Sequence, residues 1–138
     1  MRDRLGPSYE EWESGVPRHL RDDPLWTLRV YRSAVYAGEL GRRDAVLLAK
    51  QTGMTGLADQ LVRATGSISA NISEGYSRIG PRDRGKFYEY ALGSARESRD
   101  WYYQAREELG AEVTEARLSL HTSICRVLTK LISNLRAH

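Results

Sequence analysis

The 138-residue sequence has few of the residues that interrupt helices or form covalent cross-links. It contains four prolines, and of these only Pro81 lies after residue 24. Because proline breaks the interior of a helix, we expect the chain from Leu25 onward to be mostly helical. A single cysteine, Cys125, excludes an internal disulfide and is typical of a protein in the reducing cytoplasm.

Long apolar runs and a strong excess of one charge are also missing. No run of about 18 apolar residues occurs, which excludes a membrane-spanning helix. The N-terminal sequence MRDRLGPSYEEWESG lacks the apolar core of a signal peptide. The net charge is +3, but residues 1–23 are acidic and the remainder is basic, which favours an anionic partner. We therefore expect a cytoplasmic protein that makes no membrane contact.

Helical periodicity begins after residue 23 and appears in four segments. They extend from Pro24, preceded by Asp23 as the N-cap, to about Lys50, from Thr55 to Tyr76, from Pro81 to Leu109, and from Glu112 to Arg136. Long helices joined by short turns must be antiparallel neighbours. The sequence thus predicts an all-α fold, an antiparallel up-down-up-down four-helix bundle over residues 24–138, preceded by a loose, partly disordered arm over residues 1–23.

The segment SISANISEGYSR, Ser67–Arg78, is crowded with small and polar residues, which suits either a phosphate-binding loop or a closely packed helix. An apolar stripe that begins at Leu57 and Leu61 continues through Ile68 and Ile72 without losing phase, so we expect a helix. Small residues on one face let two helices approach closely. We expect them on the facing sides of the second and third helices: Ala64, Ser67, Asn71, Gly75, Ala91, Gly93, Ser94 and Ser98.

Two more stripes predict the core side of the third and fourth helices. The third helix carries Phe87, Ala91, Ser94, Ser98, Tyr102, Ala105 and Leu109 at spacings of three or four residues. The fourth carries Val113, Leu120, Ile124, Val127, Leu131 and Leu135, with His121, Cys125, Leu128 and Ile132 beside them.

The sequence GLADQLVRATGSISANISEGYSR, followed by KFYEYALGSARESRDWYYQ, resembles the four-helix bundle proteins of the 23S ribosomal RNA intervening-sequence family. The positions that carry the likeness are Ser67, Ile68, Ala70, Asn71, Ile72, Glu74, Gly75, Tyr76, Phe87, Tyr88, Gly93, Ser94 and Glu97. The likeness extends over about residues 24–136. Ser69 stands where the family often has proline, and Ser73 where it usually has alanine.

This resemblance implies a bacterial, cytoplasmic protein of the bundle fold that forms homo-oligomers, in related members ring-like pentamers. Some relatives, the accessory variability determinants of diversity-generating retroelements, work with a reverse transcriptase and nucleic acid. The resemblance implies no enzymatic activity, and the two departures do not decide between these branches.

The residues themselves form no recognisable catalytic centre. His121 and Cys125 are four residues apart on one helix, a spacing that two metal ligands can share, but a third ligand has no obvious place beside them. The serines have no evident base, and GSISANISEG lacks the ending of a phosphate-binding loop. We therefore expect no catalytic site, metal or cofactor, and His121 is read as a residue of the bundle interior.

Basic residues are the more informative feature. The connection YSRIGPRDRGK holds Arg78, Arg82, Arg84 and Lys86, and a stripe on the third helix holds Arg96, Arg99, Tyr103 and Arg106. Guanidinium groups pair with phosphates and tyrosine stacks on unpaired bases, so both sets are candidate nucleic-acid contacts. The alternative is a solvated, salt-bridged surface, because Asp100 lies four residues after Arg96.

Aromatic residues are more numerous on the third helix than one bundle interior needs. Tyr88, Tyr90, Trp101 and Tyr103 cannot all face the core together, so some must lie outside as a protein interface or be covered by the arm.

The leading hypothesis is a non-enzymatic homo-oligomeric bundle that binds nucleic acid, with RNA favoured, as an accessory to a reverse transcriptase or ribonucleoprotein. Its rival is a scaffold that binds a partner protein without nucleic-acid contact, and a metal enzyme built on His121 and Cys125 is a third hypothesis.

Overall fold

The protein is all-α in a computed structural model that describes residues 2–137. The α-helices are α1 Arg2–Leu5, α2 Tyr9–Ser14, α3 Arg18–Arg21, α4 Arg29–Ala49, α5 Thr55–Tyr76, α6 Pro81–Gln104, α7 Arg106–Leu109 and α8 Ala111–Arg136, with a 3-10 helix at Pro24–Thr27. Met1 and His138, the outer ends of the predicted arm and bundle, lie outside the described residues.

Four long helices, α4, α5, α6 and α8, pack around a common interior. Helix α5 packs against both α4 and α6, and α8 packs against both α6 and α4. At one end the interior is filled by an aliphatic cluster that includes Ile68, Ile72 and Leu128. At the other end it is filled around Leu61 and Tyr102. The all-α class expected from the sequence is confirmed. Within the described residues, no helix combines the length and apolar character needed to cross a membrane.

The prediction that the second helix continues through Ser67 to Tyr76 is confirmed, because α5 ends at Tyr76. Ile68 and Ile72 are fully buried, as the continuous stripe requires. The Asn71 side-chain amide donates to the backbone carbonyl of Ser67, 2.9 Å away, within the same helix. A loop around a bound anion is therefore not the structure of this segment.

Small residues do bring helices together, but the contacts differ in part from those predicted. A Cβ added to Gly75 of α5 would lie 2.8 Å from the ring of Tyr88 on α6, so this glycine is needed for the predicted α5–α6 approach. A Cβ added to Gly41 of α4 would overlap Thr65 of α5, a second close approach that the sequence reading missed. The placement of Gly93 was wrong, because it is exposed and a Cβ there would meet no heavy atom within 4 Å.

The boundaries and core of the last two long helices also differ from expectation. Helix α6 ends at Gln104, and a separate short helix, α7, leads to Gly110 with φ +90°. Val127 is 45% exposed, so its placement in the core was wrong, whereas Leu128 and Ile132 of the neighbouring stripe are buried. Phe87 is half-buried and Tyr88 is buried, the reverse of the predicted order. A shift of one residue turns a helix by about 100°, which exchanges inner and outer positions.

Residues 2–23 belong to the segment that was expected to be loose, but they form short helices that contact the bundle. Ser8 and Glu11 make a reciprocal capping box at the start of α2. The Trp12 ring packs at 5.4 Å from Tyr36 and 6.1 Å from Trp26, measured between ring centroids. Helices of four to six residues are too short to show a period, which is why the sequence pattern did not reveal them. The division into an arm and a bundle domain stays a prediction.

Candidate nucleic-acid interface

Helices α6 and α8 lie side by side with the start of α6 beside the end of α8. Gly85 of α6 and Leu135 of α8 line one depression, and the Arg99 guanidinium donates to the Thr122 hydroxyl 3.2 Å away farther along the same pair. Two depressions lie along the seam between these helices, one at Gly85 and Leu135 and the other at Arg99 and Thr122.

The first depression, about 780 Å³, lies at the α6 start. It is lined by Pro81, Arg82, Asp83, Gly85, Lys86 and Glu89 of α6 and by Leu135 and Arg136 of α8. Glu89 and Arg136 form an ion pair across it. Arg82 and Lys86 are exposed on its α6 wall, so their charges face solvent.

The second depression, about 360 Å³, lies farther along the seam. It is lined by Arg96 and Arg99 of α6 and by Thr122, Cys125, Arg126 and Thr129 of α8. Arg96 and Arg126 are exposed, and Lys130 is exposed one turn beyond Arg126. We call the two depressions together the α6/α8 groove, with the outward cations Arg82, Lys86, Arg96, Arg99, Arg126 and Lys130.

The α8 wall of this groove has no acidic residue to compensate it. After Glu115, α8 contains four basic residues and no aspartate or glutamate up to its end at Arg136. One of the four, Arg117, is buried, and the other three are exposed on the surface. On the α6 wall, the acidic residues are Asp83 and Glu89, both in the first depression, and Glu89 is paired with Arg136. The groove therefore presents a positive surface.

The basic connection predicted from the sequence divides into two parts. Arg78 pairs with the Glu74 carboxylate at 2.8 Å and lies over the Phe87 ring. Arg84 donates to the Tyr76 carbonyl at 3.1 Å and lies over the Tyr76 ring. Arg78 and Arg84 thus serve local structure, whereas Arg82 and Lys86 line the groove.

The predicted stripe on the third helix is also divided. Arg96 and Arg99 line the groove, and Tyr103 follows Arg99 by one turn. The Arg106 guanidinium lies 4.1 Å from the centroid of the Tyr103 ring and donates to the Tyr103 carbonyl. Within the described part of the chain, Arg96 and Asp100 form no ion pair, so the salt-bridged alternative does not describe Arg96.

The remaining family-motif residues have packing roles. Ser67, Asn71 and Tyr76 are half-buried, while Ile68, Ile72 and Gly75 are buried. Glu74 is exposed and is held by its ion pair with Arg78. The Ser94 carbonyl accepts a hydrogen bond from the Ser98 hydroxyl at 2.8 Å.

The cations contributed by α8 were missed by the sequence analysis. Arg126 and Lys130 are four residues apart in the part of α8 after Glu115, which contains no acidic residue, and this pattern could have been recognised from the sequence. The proximity of Arg126 and Lys130 to Arg96 and Arg99 could not be predicted from the sequence, because it depends on how α6 and α8 pack.

A buried ion pair was missed as well. Arg117 of α8 donates to both carboxylate oxygens of Asp44 on α4, at 2.7 and 3.2 Å. The Tyr102 hydroxyl donates to the same carboxylate at 2.6 Å, and Arg117 also donates to the Leu5 carbonyl of α1 at 2.9 Å. This cluster joins α4, α6, α8 and the N-terminal segment. The sequence signal for this pair was Asp44, a charged residue at a core position. It lies four residues after Leu40 and four before Leu48.

Burial sets the protonation of the groups around this pair. Burial and the Asp44 carboxylate raise the pKa of Tyr102 well above its ordinary value. Burial acts to lower the pKa of Arg117, but its hydrogen bonds to Asp44 reverse that effect and hold the pKa above the usual value. Arg117 is therefore charged, and Tyr102 is a neutral donor.

His121 belongs to this interior, as the sequence reading placed it. It is fully buried, and its Nδ1 lies 2.9 Å from the Arg117 carbonyl. Burial lowers the pKa of His121 to about 4, and burial raises the pKa of the neighbouring Cys125 thiol. Among the residues that the structure describes, no group of three or more His, Cys, Asp or Glu side chains could hold a metal ion.

Comparison with known proteins supports the same fold. Residues 44–133 match the family described as 23S rRNA-intervening sequence protein. A solved structure of a protein of unknown function from the S23 ribosomal protein family of Bacteroides thetaiotaomicron is similar, with a TM-score of 0.72 and 22% sequence identity over 75% of this chain and 97% of that chain. No curated protein matches the chain.

Proposed function

Because this chain belongs to the 23S rRNA-intervening sequence protein family, we propose that it is a non-enzymatic, homo-oligomeric helical bundle that binds nucleic acid through the α6/α8 groove. RNA is favoured over DNA because the family description refers to an intervening sequence of 23S rRNA. The four long helices form the up-down-up-down bundle expected from their short connections.

One observation carries this proposal: cations from two helices line a single seam whose α8 wall lacks acidic residues. Guanidinium groups bind phosphates through paired hydrogen bonds, and a positive groove attracts a polyanion over distance. Arg99 is held in place by its hydrogen bond to Thr122. Its guanidinium therefore loses less freedom when a phosphate binds than a fully mobile side chain would.

Self-association is supported by apolar side chains that the monomer leaves exposed. Ile79, in the connection between α5 and α6, is 98% exposed, and Tyr90 on α6 is 49% exposed with the N-terminal segment in place. Such residues are common at protein interfaces. The family resemblance implies assembly into a ring-like pentamer. It also implies a role as an accessory to a reverse transcriptase.

The groove is tested by reversing two of its charges. We expect the R96E/R126E variant to lose more than about tenfold in affinity for a fluorescein-labelled single-stranded RNA, measured by anisotropy, because each lost phosphate contact also forfeits counterion release. The matched control is R29E/R63E, which changes the net charge equally, since Arg29 on α4 and Arg63 on α5 are exposed outside the groove lining. Equal affinities for wild type and R96E/R126E, or equal losses in both variants, would show that the groove is not the binding surface.

The rival function, a scaffold for a partner protein, is favoured by the same exposed residues Ile79 and Tyr90. It predicts no RNA affinity at physiological salt. Light scattering of the I79D variant tests whether Ile79 serves self-association or binding of a different protein. An oligomer held together by Ile79 would dissociate in this variant. V46D is the matched control, since Val46 is 56% exposed on α4.

A further inference from the structure

The shape of the α6/α8 groove restricts the form of nucleic acid that it can hold. Two helices in direct contact are about 8–10 Å apart, so the furrow between them is one helix spacing wide. Arg96 on α6 and Arg126 on α8 line opposite walls of the second depression. An A-form RNA duplex instead presents two phosphate rows separated by a wide, shallow minor groove, and needs cations in two rows on a broad surface.

The length of the groove fits a short run of one strand. Along α6 the cations begin at Arg82 and end at Arg99, which is about 25 Å at 1.5 Å per residue. Six cations follow this line. Arg82, Lys86, Arg96, Arg99 and Arg126 line the two depressions, and Lys130 is exposed one turn beyond Arg126. Phosphates of a single backbone can meet both walls along that distance.

An aromatic residue lies at the far end of this line. Tyr103 is 55% exposed and shares the α6 face of Arg96 and Arg99, which precede it by seven and four residues. The Arg106 guanidinium, 4.1 Å from the ring centroid, holds the ring from one side. An exposed ring backed by a cation is a surface on which a base can stack.

The end of α6 that carries Tyr103 also lies beside α8. The Tyr102 ring, next to Tyr103 in the chain, packs on His121 of α8 with centroids 5.5 Å apart. Along α6 from Arg82, the groove thus passes from cations to an exposed aromatic ring.

We propose that the α6/α8 groove binds one unpaired strand, with phosphates between the walls at Arg96 and Arg126 and a base stacked on Tyr103. This inference rests on the proposed nucleic-acid function and adds the form of the ligand. Since a duplex buries its bases in its own stack, the Tyr103 contact is available to unpaired nucleotides alone.

The test compares a single-stranded RNA with a duplex of the same sequence, at the same salt, on the full chain. We expect the single strand to bind more tightly by about tenfold or more. Neutralising up to six phosphates predicts a slope of roughly −4 for log affinity against log salt. R126A should make that slope shallower by about 0.7.

Substitutions at Tyr103 test the stacking contact. Y103A and Y103L should weaken single-strand binding by roughly 5- to 150-fold without changing the salt slope, because base stacking on a ring contributes about 1–3 kcal/mol. Y103F should retain affinity. V46A is the control, since Val46 is 56% exposed on α4 and lies outside the groove lining.

The outcomes separate the inference from the function beneath it. Duplex affinity equal to that of the single strand would overturn the inference while leaving the function standing. Full affinity of the Y103A variant for the single strand, combined with lost binding in R96E/R126E, would likewise overturn the inference and leave the function standing. Absence of binding to both RNA forms would overturn the proposed function and the inference together.

Discussion

The inner and outer sides of the α6–α8 pair use the same residue types for opposite purposes. On the inner side, Arg117 of α8 is paired with Asp44 and is 3% exposed. On the outer side, Arg126 of the same helix is exposed in a groove beside Arg96. The inner arginine is committed to one carboxylate, whereas the outer arginines face other cations.

That difference shows which charges belong to the fold and which are available to a ligand. A buried charge must have a fixed partner, because removing it from water costs several kcal/mol. Exposed cations near one another repel, and an anion that binds between them relieves the repulsion. The basic connection makes the same point on a smaller scale, since Arg78 and Arg84 have local partners and Arg82 and Lys86 face the groove.

The largest effect should come from breaking the inner pair. Asp44→Ala leaves Arg117 buried without a counter-charge, so we expect the free energy of unfolding to fall by about 3–5 kcal/mol. Urea denaturation followed by circular dichroism measures this change.

The outer side supplies the controls for that measurement. Arg126→Ala should change the free energy of unfolding by less than about 0.5 kcal/mol, because the side chain is exposed. Glu39→Ala, which removes the partner of Arg42 on α4, should cost less than about 1 kcal/mol. A loss at Arg126 comparable to that at Asp44 would contradict the distinction between the two sides.

The next effect is a pH dependence set by the inner side. The pKa of His121 is lowered to about 4 in the folded protein, while the unfolded value is near 6.5, so the unfolded chain takes up a proton first as the pH falls. Stability should therefore be constant above pH 6.5 and should fall between pH 6.5 and 4, by an amount on the order of 3 kcal/mol.

Chemical denaturation at a series of pH values in that window measures the effect. The charged groups that act on His121 are Arg117, Arg99 and Asp44. His121→Gln removes the titrating group and should remove this part of the slope, even if the variant is less stable throughout. An unchanged slope in that variant would assign the pH dependence to other groups.

The smallest effects should be changes in stability of opposite sign when two glycines, Gly75 and Gly93, are replaced by alanine. Gly75→Ala places a Cβ 2.8 Å from the inner Tyr88 ring, and we expect a loss of about 1–3 kcal/mol. Gly93→Ala lies on the exposed side of α6 with free space around it, so we expect a gain of about 0.5–1 kcal/mol from helix propensity. Thermal unfolding midpoints should move in opposite directions, and movement in the same direction would contradict this assignment of the two sides.

Much of the fold could be predicted because it depends on periodicity within single segments. Ile68 and Ile72 identified α5 as a helix through the small-residue segment, and Pro81 marked the start of α6. Asp23 was correctly predicted to cap the turn that follows it, although that turn is a 3-10 helix and α4 begins at Arg29. The short helices within residues 2–21 could not be predicted, since contacts with the bundle, such as Trp12 of α2 on Trp26 and Tyr36, are not visible in a local pattern.

The candidate interface could be predicted only in part. Arg96 and Arg99 were identified from their spacing on one helix, but Arg126 and Lys130 lie on another helix and meet them through packing. The sequence reading also gave Arg78 and Arg84 the same standing as Arg82, because local partners such as Glu74 were not weighed against each arginine.

By itself, the sequence determined the helical class, most long-helix boundaries and the presence of unbalanced positive charge, since these properties depend on residues within a turn or two of one another. Only the tertiary structure decided which arginines are buried with a partner and which line a groove. Asp44 and Arg117 lie 73 positions apart in the chain yet share two hydrogen bonds. Burial and pairing of this kind depend on the packing of whole helices, and no local pattern encodes that packing.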